Sequence, residues 1–92
     1  MEKKKVERMV DNMLENFINN AEAHINRALH YAEKTIDANS KTEILNAEYC
    51  LGQYNAYLDM IKITDFDSYV RLAENNKKTV KTVLDAINKL YE

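Results

Sequence analysis

Proline is absent from this 92-residue chain, and Gly52 is its only glycine. Loops and hairpins draw on both residues, because proline presets φ and glycine supplies positive φ. A chain of this length without them is best built from a few long helices joined by very short connections. The expected fold class is therefore all-α.

Hydrophobic periodicity assigns the helices. A first helix over about 3–37 carries Val6, Val10, Met13, Leu14, Phe17, Ile18, Ala21, His24, Ile25, Ala28, Tyr31, Ala32 and Ile36. At 100° per residue these fall in one stripe. The stripe keeps its phase through Asn19-Asn20, so one continuous helix is expected. A break at 19–20, giving a four-helix bundle, is the alternative. Ser40-Lys41-Thr42-Glu43 reads as a capping box that opens a second helix over about 41–62. There Ile44, Ala47, Leu51, Tyr54, Leu58 and Ile61 form a strict heptad stripe. Leu45, Tyr49, Gly52, Ala56 and Met60 make a second apolar patch on the other side, the pattern of a helix lying between neighbours. Thr64 or Asp65 can cap a third helix over about 66–91. Its expected core stripe is Phe66, Tyr69, Val70, Ala73, Val80, Val83, Leu84, Ile87, Leu90 and Tyr91. Asn76 falls on that stripe as a buried polar residue or as the mark of a kink. The architecture expected is a single-domain, coiled-coil-like antiparallel three-helix bundle with a long first helix.

Composition narrows the function classes. Hydrophobic residues are 46% and charged residues 30% of the chain, a folded rather than a disordered mix. A net charge of −2 gives no global field toward nucleic acid or an anionic membrane. No run of 18 apolar residues occurs, so no membrane partner is expected. The opening Met-Glu-Lys-Lys-Lys-Val-Glu-Arg has no apolar signal core. With Cys50 as the single cysteine, a cytoplasmic location is expected. Lys, Asn, Ile and Tyr are 34 of 92 residues, and all have AT-rich codons. An AT-rich genome, such as that of a low-GC bacterium or of a phage or mobile element within one, would produce this bias.

Catalytic and metal chemistry find little footing. His24 and His30 lie six residues apart on one helix, out of phase for a shared ion. Di-iron bundles need Glu-x-x-His pairs on facing helices, and none occurs. No basic residue flanks Cys50 to lower its pKa. No phosphate loop or serine elbow is present. No catalytic residue, cofactor or metal ligand is assigned, and the chain is not expected to be an enzyme; a metal-binding or enzymatic bundle ranks third among the readings. Lys3, Lys4, Lys5 and Arg8 form the one basic cluster, whose functional reading is a phosphate-contacting arm for nucleic acid. That is the second reading.

The first is protein binding. A helix of about 35 residues outruns a second helix of about 22, which must fold back on its end. Val6, Met9, Val10, Met13, Leu14 and Phe17 are then left with no partner in the chain. Such a patch is rare on a soluble monomer. Together with Leu45, Tyr49, Gly52, Ala56 and Met60, these residues are the expected partner-binding surface. Gly52 and Ala56 would let another backbone approach closely. The expected role is a regulator, inhibitor or assembly adaptor that pairs with itself as a homodimer.

Overall fold

The computed structural model describes residues 2–38 and 41–91, with the side chains of 3–34, 41–89 and 91 placed. Every described residue except Asp65 and Asn76 is helical, and there is no strand among them. The helices are α1 (Glu2–Ala38), α2 (Lys41–Thr64), α3 (Phe66–Asn75) and α4 (Lys77–Tyr91). Helix α1 runs unbroken through Asn19-Asn20, as the phase of its stripe predicts. Its 37 residues amount to about 55 Å at 1.5 Å per residue. The molecule is 56 Å long and only 19 by 16 Å across, so α1 sets its full length.

The connection between α1 and α2 leaves room for two residues, and α2 packs back along α1. Ala21, Ile25, Ala28 and Ala32 of α1 meet Ile44, Ala47, Cys50, Leu51, Tyr54 and Ile61 of α2 in one buried cluster. Alanine at three of the four α1 positions keeps the seam narrow, so the two axes can come close. Ile25 and Ile61 are fully enclosed. Burying an aliphatic side chain is worth about 1.5–3 kcal/mol, so these contacts anchor the bundle. At the edge of the seam the His24 ring stacks on Tyr57 at 5.5 Å, and Phe17 packs tilted against the same ring at 6.2 Å. The capping box assigned to Ser40 lies outside the described residues, as do the side chains of Ile36 and Leu90.

Asp65 alone separates α2 from α3. It is the N-cap residue of α3, with extended φ −155° and ψ 101°. Its carboxylate makes no bond to the backbone; it accepts a 2.7 Å hydrogen bond from the Ser68 hydroxyl. Helix α3 packs on α2, and α4 packs on both α1 and α2. Contacts at both ends of α2 fix the direction. Lys62 sits 5.4 Å from the Tyr69 ring, and the Tyr91 hydroxyl donates to Glu48 at 3.0 Å. The chain from 66 to 91 therefore runs antiparallel to α2.

The expected helix over 66–91 is two helices, because Asn76 stops the first. Asn76 takes φ −105° and ψ 7°, and both its backbone N–H and its side-chain amide donate to the Leu72 carbonyl, at 3.1 and 3.0 Å. The backbone bond is the ordinary i→i−4 bond of the ladder, so the interruption lies in the dihedrals of Asn76 itself, with its side-chain amide bonded back over the preceding turn. Its own carbonyl accepts from Val80 at 2.9 Å, which starts α4.

The buried face of this segment is also rotated from the expected one. Ser68, Leu72, Val83 and Ile87 are buried, with Tyr69, Val80 and Ala86 packed against them. Phe66, Val70, Leu84 and Tyr91, expected in the core, are exposed. Leu72 enters the core from α3, Ser68 one turn before it shares that face with its hydroxyl satisfied by Asp65, and Phe66 and Val70 lie on the opposite side.

Candidate functional site

The apolar residues at the start of α1 divide into two groups. Val6, Met9, Val10 and Met13 are 59, 64, 39 and 43% exposed. Leu14 and Phe17 are not left without a partner: both pack against the core, Phe17 on Tyr57. Tyr57 of α2, well inside the span expected for that helix, covers Phe17, and Leu14 packs on the same buried cluster. The uncovered segment therefore ends at Met13. It projects past α2 for about ten residues, some 15 Å.

On α2 the second apolar patch faces away from the core. Leu45, Tyr49 and Met60 are 47, 68 and 40% exposed, and Gly52 and Ala56 are exposed between them. The expectation that α2 lies between neighbours on both faces fails within this chain, because α1, α3 and α4 all meet the same side of it. A Cβ built on Gly52 meets no atom within 4 Å. No close backbone approach inside the chain uses it.

Two residues absent from the expected surface belong beside it. Ile63 is 87% and Phe66 58% exposed, at the corner where α2 passes into α3. The signal for Ile63 was its place on α2, two positions past Ile61 and so off the buried heptad stripe.

Lys3, Lys4, Lys5 and Arg8 are all exposed on the projecting end. At 100° per residue Lys4 and Arg8 lie behind the apolar stripe, on a side they share with Asp11 and Glu15, while Lys3 and Lys5 flank it. That mixture is a solvated helix back rather than a one-signed patch.

The groups that could do chemistry are dispersed. Among the described residues, no three of His, Cys, Asp or Glu come together in a way that could hold a metal ion. Cys50 is buried as a free thiol, and burial pushes its pKa up, with Arg27 nearby offsetting this in part. Tyr54 is also enclosed, and desolvation raises its phenol pKa. The Asn76 amide opposes that rise without making a hydrogen bond of good geometry to the hydroxyl. Both groups stay protonated and sit inside the helix seam, away from open surface. No helix of the described residues is long and apolar enough to cross a membrane.

Comparison with protein families, curated proteins and solved structures gives no match to this chain.

Proposed function

We propose that this chain is a protein-interaction module, an antiparallel bundle in which α3 and α4 together take the place of a third helix. It works by presenting the projecting end of α1 to another helix. The observation that supports this is the exposure of Val6, Met9, Val10 and Met13 along one stripe of an ordered helix. Leaving four large apolar side chains in water forgoes several kcal/mol of burial. A partner helix laid along the stripe recovers it, with the spacing of a coiled-coil seam. Regulator, inhibitor and assembly adaptor are the roles that such a surface serves. A reduced Cys50 fits a cytoplasmic setting, and a composition rich in Lys, Asn, Ile and Tyr fits a phage or mobile element of an AT-rich host.

The test is site-specific photo-crosslinking in the native host. A photoreactive residue at Met9 is expected to give a covalent adduct with a polypeptide, and one at Glu15 on the back of the helix is not. Equal labelling at both positions, or none at Met9, would remove this reading.

A further inference from the structure

We propose that the helix seated on this projecting end is the same segment of a second copy, in a two-fold, head-to-head dimer; this rests on the interaction reading above. The geometry carries it. Along α1 the exposed stripe of Val6, Met9, Val10 and Met13 lies on the side of His24 and Phe17, where α2 packs. The empty position beside the projecting end is therefore the line on which α2 would have continued past Thr64. A helix filling it runs antiparallel to α1, and an isologous pair has that arrangement. Two copies so placed set Val6 opposite Met13 and Met9 opposite Val10. These four residues are the uncovered ones, and none is left over.

The tip of the incoming helix then arrives at the corner between α2 and α3. Lys3, Lys4 and Lys5 come with it to a corner where Asp67 is exposed and Asp65 half-buried, with Lys62 turned onto the Tyr69 ring, beside the exposed Ile63 and Phe66. Its cations also lie at the C-terminal end of the other copy's α2, where positive charge is favourable, rather than at their own helix start alone, where it is not. Charge and apolar surface thus fit the same placement. Two projecting ends and two such corners together offer on the order of 1,200 Å², where specific interfaces begin.

The experiment is sedimentation equilibrium of the full chain from about 10 µM to 1 mM. A monomer–dimer equilibrium is expected, and a monomer of 10.7 kDa throughout overturns the proposal. Met13→Asp should weaken the dimer at least tenfold with unchanged helix content by circular dichroism. Replacing Lys3, Lys4 and Lys5 by Glu should weaken it as well, and adding Asp67→Lys, at an exposed position of the same corner, should restore part of it. A dimer that survives Met13→Asp, or that the charge reversal does not restore even in part, uses another surface and also overturns the proposal. A strict monomer that still crosslinks to a foreign protein from Met9 separates this failure from failure of the interaction reading.

Discussion

Asn76 donates twice to the carbonyl of Leu72, once from its backbone N–H and once from its side-chain amide, at 3.1 and 3.0 Å. The side-chain bond holds this turn in addition to the backbone ladder. Asn76→Ala removes it and favours a continuous helix. Losing one hydrogen bond costs about 0.5–1.5 kcal/mol, in part offset by the better helix propensity of alanine. A fall in melting temperature of a few degrees is expected. A rise would show that the break is strained rather than held.

Burial distinguishes neighbours on the last helix. Val83 is fully buried, while Leu84 beside it is 42% exposed. Val83→Ala is expected to cost about 2 kcal/mol, and Leu51→Ala in the α1–α2 seam about 2–5 kcal/mol. Leu84→Ala should fall within about 0.5 kcal/mol of the parent, as a surface substitution. Urea titrations of the three variants check the ranking. A Leu84→Ala loss equal to that of Val83→Ala would reverse the assigned face.

Gly52 has open space where a Cβ would be. Gly52→Ala should therefore stabilise α2 by roughly 1 kcal/mol, the helix-propensity difference between the two residues. Thermal melts at low protein concentration measure it. A loss of stability there would mean that another backbone lies against this face.

Alkaline pH should weaken the fold. The Cys50 thiol and the Tyr54 phenol have folded pKa values above their ordinary 9.0 and 10.0, chiefly through burial. The unfolded chain releases these protons first, so above about pH 9 it binds fewer protons than the folded chain, and stability falls as pH rises. The full contribution is present below pH 9 and is lost as pH climbs through the raised values. Tyr54→Phe and Cys50→Ala should each flatten the decline of unfolding free energy between pH 9 and 11. An unchanged slope in both variants would assign the decline to other groups. Tyr54→Phe also deletes a buried hydroxyl without a well-formed bond, so it should not destabilise at neutral pH.

Where the apolar pattern had one helix to satisfy, it was legible. The phase of Phe17, Ala21 and Ala28 carried α1 straight through two asparagines, and Ile44, Leu51 and Tyr54 marked the buried side of α2. The face of α3 was not legible in the same way. Phe66 and Val70 outweigh Ser68 and Leu72 in any hydrophobic count, yet Ser68 and Leu72 face the core, with the Ser68 hydroxyl satisfied by Asp65. Periodicity measures where apolar residues fall, not which of them the neighbouring helices will cover. Asn76 could be flagged as an interruption, but choosing between a buried register group and a helix stop needed its Leu72 partner. The surface at Val6–Met13 followed from helix lengths. Its limit at Met13 depended on the register that sets Tyr57 over Phe17, and periodicity within each helix does not fix the register between two of them.

The unbroken run of α1 gives one helix two thermal regimes. Amides near Ala21–Ala32 are locked behind the core, and their hydrogens should exchange with solvent only when the whole bundle opens. Those of residues 3–13 are held by nothing but the helical ladder, which unzips from its end in sub-microsecond steps. The projecting end is therefore expected to fray and reform reversibly, turn by turn, from its tip. It can lose or regain a turn without disturbing Ile25 or Tyr54, and a docked helix fixes how many turns it keeps.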